Sequence, residues 1–353
     1  MSDTSDRTRS GRTKPDEPLK PDLVAQPRHG ERSDTAVPRP VTVDNFERAE
    51  TDMYFASAAR DGSLGTFEHR REPTPVDRQT VVRMNRDTLY SSAVFDLDAA
   101  PVTITLPDAL KRFLSMEVID QDHYVVTVVY GSGSHTFTQE NVGTRYVMVA
   151  IRILVDPADP HDVDEVHALQ DAIKVDQEKR GIFEIPNWDV ASQKRIRDAL
   201  AQLAATLPNS RGMFGARNEV DPVRHLIGTA VGWGGNPEKD ATYVGVTPVR
   251  NDGKTVHSLV VKDVPVDGFW SITVYNSDGY MQANARNAYS INNITATKDV
   301  DGSVEVQFGG CDGESTNCLP IMPGWNYTVR LYRPRAEILK GRWTFPVAKP
   351  VRG

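Results

Sequence analysis

Asn85, Asp87, Thr88 and Tyr90 fall within one short run, RMNRDTLYSS, whose turn-forming head gives way to β-forming residues. Asp87 is of the right type for a general base or for orienting a water. Tyr90 is of the right type to donate a proton or stabilise an oxyanion, and Asn85 joins them as a catalytic candidate. The plainer account is a turn capped by Asp and Asn side chains ahead of a strand. A second group, Asp120, Asp122, His123 and His135, has the donor types of a divalent-metal site. The two histidines would meet only if a hairpin brought them into register, and one closing near Gly131–Gly133 does not pair them directly. A surface turn with two satisfied histidines is the alternative. Ser132 and Ser134 in YGSGSHTF resemble a nucleophile elbow only superficially. No Gly follows two residues after Ser134, and the sequence beyond reads as strand or loop rather than helix.

A fourth set is aromatic and polar: Trp233, Asn236, Tyr275, Asn284, Arg286, Tyr289 and Asn317. Flat rings with oriented amide and guanidinium groups suit a small polar or sugar-like ligand in a mostly apolar cleft. Core anchors and turn formers are the structural account of the same residues. In GFWSITVYN, Trp270, Ile272 and Val274 share one face as a core stripe would, and Phe269, Ser271, Thr273 and Tyr275 share the other. Arg224 and His225 offer either an anion contact, a bridge between domains, or a buried ion pair with an Asp.

These groups need elements to hold them. Asp44, with Glu47 three residues on, predicts the capped start of a helix carrying Phe46, Ala49, Met53 and Ala56 on one face, ending near Arg60 before Asp61-Gly62. From Thr80, the segments SSAVFDL, PVTITLP, RFLSMEVID, HYVVTVVYG and TRYVMVAIRILVD are short, β-branched and separated by Asp, Pro and Gly turns. That spacing predicts antiparallel strands. Val163, Val166, Leu169 and Ile173 recur at helical spacing, as do Ile196, Leu200, Leu203 and Leu207 behind Asp189 as N-cap. KTVHSLVVKD, GFWSITVYN, SVEVQFGG and WNYTVRLYRP are strands again. The expected organisation is a disordered tail over 1–40, a first β domain with its leading helix over 41–156, a helical bridge over 157–227, and a second β domain over 228–353.

Length and composition suit a folded chain with ample core: 353 residues, 25% charged and 39% hydrophobic. A formal net charge of -7 argues against a general nucleic-acid binder. No stretch of about 18 apolar residues is present to span a membrane, and the N-terminus lacks the apolar region of a secretory signal. A cytoplasmic location follows as the simplest expectation. In that compartment Cys311 and Cys318 are expected as two free thiols, with a small disulfide-closed loop as the alternative.

RMNRDTLYSSAVFDLDAAPVTITLPD, with Asn85, Asp87, Thr88, Tyr90, Asp96, Pro101, Pro107 and Asp108, resembles the hallmark of domain-of-unknown-function family 1254. The chain from Trp233 onward resembles family 1214, on Trp233-Gly234-Gly235-Asn236, Gly268-Phe269-Trp270-Ser271, Tyr275, Asn284, Asp301-Gly302, Asn317, Leu319-Pro320, Leu331-Tyr332 and Pro334. One departure is Cys318, which stands where that second family often has Trp. The resemblance implies two packed β-sandwich domains in this order, with members loosely called carboxylesterases but no agreed reaction. The combined expectation is a mainly β protein: two antiparallel, jelly-roll-like sandwiches joined by a helical bridge, binding a small molecule near the domain junction. Ester hydrolysis through Asn85, Asp87 and Tyr90, with Arg286 orienting the substrate, is one expectation. A non-catalytic carbohydrate- or lipid-binding module is the other. No cofactor is expected, a divalent metal being the only one left open. Exposed sheet edges allow a homo-oligomer.

Overall fold

The computed structural model describes residues 37–79, 82–313 and 316–351. The expected disordered tail therefore lies, for residues 1–36, outside the described residues. Within them the chain is mainly β, built from several antiparallel sheets, none of them closed.

The first half begins with α1 (Phe46–Ala58), which passes through one wider turn to Gly62 at φ 100°. Its cap differs from expectation. Asn45, not Asp44, is the N-cap residue, and its side chain accepts from Thr42 N at 2.8 Å rather than from the helix. Eight strands follow: β1 (Glu68–His69), β2 (Thr88–Asp96), β3 (Val102–Leu106), β4 (Leu114–Asp120), β5 (Val125–Tyr130), β6 (Gly133–Phe137), β7 (Tyr146–Leu154) and β8 (Lys174–Gln177). Between β6 and β8 lie the single turn α2 (Gln139–Val142) and the helix α3 (Pro160–Asp171). The strands form two sheets, ordered β1-β2-β7-β4-β5 and β6-β3-β8. Alternation decides what they bury. Leu89, Ala93 and Phe95 of β2, Met116 and Val118 of β4, and Val147, Val149, Ile151 and Ile153 of β7 meet Val102, Ile104 and Leu106 of β3 in one core, which Val166 of α3 also joins. The expected hairpin at Gly131–Gly133 is absent. Both glycines take positive φ, and there the chain leaves one sheet for the other, so β6 pairs with β3.

α4 (Val190–Ala204) starts at Asp189, whose side chain accepts from Ala191 N and Ser192 N as anticipated. With α5 (Pro222–Gly232) and α1 it encloses a smaller core around Phe46, Leu200 and Ile227, although Leu203 of the expected stripe is exposed. The second half contains β9 (Ala241–Val246), β10 (His257–Val261), β11 (Trp270–Tyr275), β12 (Ser290–Asn292), β13 (Val304–Phe308), β14 (Cys318–Leu319), β15 (Asn326–Tyr332), the turn α6 (Ala336–Leu339) and β16 (Lys349–Pro350). Its sheets are ordered β14-β13-β10-β16 and β12-β11-β15-β9, and their apolar sides share a core around Ile272, Val306, Phe308, Trp325 and Val329.

The cysteines correct the free-thiol expectation: Cys311 and Cys318 are joined by a disulfide, with Cα atoms 5.6 Å apart. Pairing of β14 with β13 holds Cys318, and the left-handed Gly309 and Gly310 turn the chain back so that Cys311 reaches it.

Candidate functional site

Every residue of β7 from Tyr146 to Leu154 is buried, because the sheet is covered on both faces. One face meets the first core. The other carries Tyr90, Glu117 and Arg152, with Tyr90 paired directly to Arg152 across β2 and β7. A charge inside such a strand needs a partner. Arg152 Nη1 donates to Glu117 Oε2 at 2.8 Å, and its guanidinium lies 5.6 Å from the Tyr90 ring centroid. Burial pushes the Glu117 carboxyl up against the pull of Arg152, and the Asp240 carboxylate adds to the push. Burial also works against the charge on Arg152, yet Glu117 outweighs it and holds the guanidinium above its ordinary value.

Asn85 and Asp87 occupy the turn entering β2. Asn85 Oδ1 accepts from Asp87 N at 2.7 Å, the local capping bond such a turn invites. Its amide nitrogen donates to Tyr332 OH at 3.1 Å and reaches Tyr90 OH at 3.5 Å. One Asn thus ties the two phenols of opposite halves together. Asp87 is buried, and its Oδ1 accepts from Asn292 Nδ2 at 3.1 Å, while Oδ2 lacks a hydrogen bond of ordinary length. Burial pushes its carboxyl up, opposed by Arg330 and by the side chains of Ser271, Asn292 and Ser290.

The second half meets this turn with one face of two strands. Trp270, Ile272 and Val274 point into the core, as the sequence indicates, and Ser271, Thr273 and Tyr275 point the other way. Arg330 of β15 stands opposite Ser271. It donates to Thr273 Oγ1 at 2.9 Å, to Tyr275 OH at 2.7 Å and to Arg83 O at 2.7 Å. Tyr275 in turn donates to Met84 O at 2.8 Å. The 83–87 segment is therefore gripped by β11 and β15, and four ionisable side chains, Asp87, Glu117, Arg152 and Arg330, are buried where the halves meet.

The remaining candidates divide. Asn236 reaches the junction, donating to Tyr243 OH at 3.3 Å, and Tyr289 lies under the Arg86 guanidinium. Trp233 sits elsewhere: buried, it stacks on Tyr54 at 4.4 Å and donates from Nε1 to Thr51. Asn284 closes its own turn through Arg286 N and Ala288 N. Asn317 clamps Thr297 and Glu305, and Arg286 donates to Cys311 O beside the disulfide. His123 and His135 do not come together. His123 accepts from Gly234 N at 2.7 Å and contacts Thr229, and burial holds it well below its ordinary pKa. His135 lies on β6 opposite Ile104. Ser134 hydrogen-bonds Thr105 across a strand pair, with no helix following in the manner of an elbow. His225 contacts the carbonyls of Met213 and Asp122 rather than an Asp side chain. No group of three or more His, Cys, Asp or Glu suited to a metal occurs among the described residues.

Glu117, Arg152 and Arg330 escaped the sequence reading, and Tyr332 entered it only as a family landmark. The signal for the two arginines was a single guanidinium within each of the strand segments YVMVAIRILV and NYTVRLY. A separate groove of about 580 Å³ also opens between the halves, lined by Phe113, Tyr130, Gly268, Asn293 and Arg333 among others. Asn85, Asp87 and Tyr90 do not line it.

Two family models match the chain in the expected order. Residues 64–141 match the protein family of unknown function DUF1254, and residues 245–336 match the protein family of unknown function DUF1214. The chain thus carries a DUF1254 segment followed by a DUF1214 segment. Among solved structures, it is similar to the VPA0106 protein of Vibrio parahaemolyticus, at 18% identity and TM-score 0.66, covering 88% of this chain and 100% of that one. That likeness extends to the fold. An uncharacterised protein of Burkholderia cenocepacia aligns at 14% identity and TM-score 0.46, over 83% of this chain and 84% of that one. No curated protein matches. Among the described residues no helix is long and apolar enough to cross a membrane.

Proposed function

We propose that the chain binds a small molecule where its two halves meet, and that it hydrolyses an ester-type substrate there. The observation that carries this reading is the burial of Asp87 with one carboxylate oxygen lacking a hydrogen bond of ordinary length, on the same turn as Asn85, which links the phenols of Tyr90 and Tyr332. An incompletely partnered buried carboxylate costs several kcal/mol in general, and such groups concentrate at functional sites. In this reading Asp87 takes a proton from the attacking water, and Tyr90 donates to the developing oxyanion or leaving group. Arg152 offsets the charge of Glu117, and Arg330 favours the ionised form of Asp87. Each half is read as a sandwich of two sheets, acting without a cofactor in the cytoplasm, with exposed edges available for self-association.

The test is turnover of a panel of chromogenic carboxylic and phosphate esters by the wild type, Asp87→Asn and Tyr90→Phe, each checked for an unchanged melting temperature. Turnover lost in both folded variants supports the reading, and turnover equal in all three proteins overturns it. A second reading, binding of a carbohydrate or lipid-like ligand without turnover, is favoured by the groove, which those three residues do not line. It predicts saturable binding and no hydrolysis in the same panel.

A further inference from the structure

We infer that the groove between the halves is a binding site for a small monocarboxylate with an apolar body, its carboxylate held by Arg333. This site goes beyond the proposed hydrolytic centre and does not depend on it. A volume of about 580 Å³ lies within the usual range for small-molecule sites. Its cations are not equivalent. Arg112 is consumed by Asp162, Glu165 and the Leu154 carbonyl. Arg333 makes no ion pair and its guanidinium donates no hydrogen bond among the described residues. Its guanidinium carbon lies over the Tyr130 ring, 4.5 Å from the centroid. Asp240 is within electrostatic reach of it; one Asp240 oxygen accepts from the Tyr130 hydroxyl at 2.9 Å, and the other is buried without a hydrogen bond and makes no ion pair with Arg333. Of the carboxylates on the rim, Asp162 pairs with Arg112, Asp267 pairs with Arg335, and Asp108 caps Leu110 N. With Arg112 consumed, the lining keeps one uncommitted guanidinium and the Lys111 ammonium among three carboxylates, two of which are already paired, a balance that suits a single negative charge.

The rest of the lining selects the body. Leu110 and Arg333, both lining the groove, each hold a left-handed backbone at a non-glycine position, φ 53° and 51°. Strain of that kind gathers at ligand clamps. Leu110 is 88% exposed and Ile294 43% exposed, so large apolar side chains stand in solvent at the mouth with nothing to cover them. Below them Gly268 approaches the Phe113 ring so closely that a Cβ would lie 3.1 Å from it, and this keeps the groove open beside that ring.

The experiment is calorimetric titration of the full chain with octanoate and with octanamide. Octanoate is expected to bind saturably, and octanamide roughly tenfold more weakly or worse, as loss of a charge-assisted contact implies. Arg333→Gln is expected to lose the same factor, Arg333→Lys to recover part of it, and Asp87→Asn to bind octanoate as the wild type does. Ile294→Trp, which fills the apolar wall and leaves Arg333 intact, is expected to abolish binding and serves if Arg333→Gln fails to fold. No octanoate binding to the wild type, equal affinity for the amide, or octanoate affinity unchanged in Arg333→Gln or Ile294→Trp overturns the inference. Because Asp87→Asn is read separately here, failure of this site and failure of the hydrolytic reading are distinguishable.

Discussion

Removing Arg152 while leaving Glu117 in place should be among the most damaging single changes on the first half. Both side chains are almost fully withdrawn from solvent, at 3% and 0% exposure, and their contact is 2.8 Å. Arg152→Met keeps most of the aliphatic volume but strands a carboxylate whose second oxygen, Oε1, already lacks a partner. Breaking one side of a buried pair costs about 3–5 kcal/mol, most of it the penalty on the abandoned charge. Removing both charges together, in Arg152→Met with Glu117→Leu, should cost far less than the sum of the single changes and stay close to the wild type. Urea unfolding at neutral pH, followed by tryptophan fluorescence and far-UV circular dichroism, would supply the cycle. Coupling near zero would refute the reasoning, since it would mean that water reaches the pair in the folded protein. So would a single-variant loss below about 1 kcal/mol, the scale of an exposed pair.

Asp120 gives a pH-dependent test. Burial raises its carboxyl from 3.8 to about 6, despite bonds from Tyr124 N and Asp122 N. The folded state therefore holds this proton more tightly than the unfolded one, so stability falls as pH rises through that window. About 3 kcal/mol is lost by neutral pH, an upper figure, and Asp120→Asn should flatten that part of the melting-temperature profile. Trp233→Ala should destabilise by about 3–5 kcal/mol through loss of its stack and its bond to Thr51, yet leave octanoate affinity unaltered, as paired melting and calorimetry would show. Reducing the Cys311–Cys318 bond, which closes a loop of sequence separation 7, should lower stability by roughly 2–3 kcal/mol, read as a shift in urea midpoint with and without dithiothreitol. Gly235→Ala would bring a Cβ within 2.6 Å of the Phe214 ring, and a depressed melting temperature should follow, eased by Phe214→Leu.

Alternation made most strands legible, because a half-buried strand writes its faces into the sequence: PVTITLP becomes β3 with its residues alternately buried and half-buried. The same rule assigned both faces of β11. It failed at β6, where HTF alternates weakly and the path is set by two glycines rather than by apolar residues. It gave little help with β9, whose exposed Val244 offers no clean stripe. The Asn85–Asp87 turn was visible as chemistry-bearing types, but its partners were not. Asn292 lies 205 residues away and Tyr332 247 away, and no local pattern encodes which distant strand will stand opposite. Trp233 and Asn317 were ambiguous for a related reason: a buried ring that needs a hydrogen bond and a loop that needs a clamp use the residue types a ligand site uses.

The two-sided use of β11 and β15 has a consequence for inheritance. A strand face bearing Ser271, Thr273, Tyr275 and Arg330 is neither a solvent surface nor a complete interior. It is finished by backbone carbonyls and an amide supplied from 83–87, which the first half presents at the start of its own longest strand pair. Cut apart, each piece would be left with a half-satisfied face that no surface substitution could easily tidy. Recombination that replaced one segment without the other would leave this face unfinished, a physical reason for the DUF1254 and DUF1214 segments of this chain to stay together.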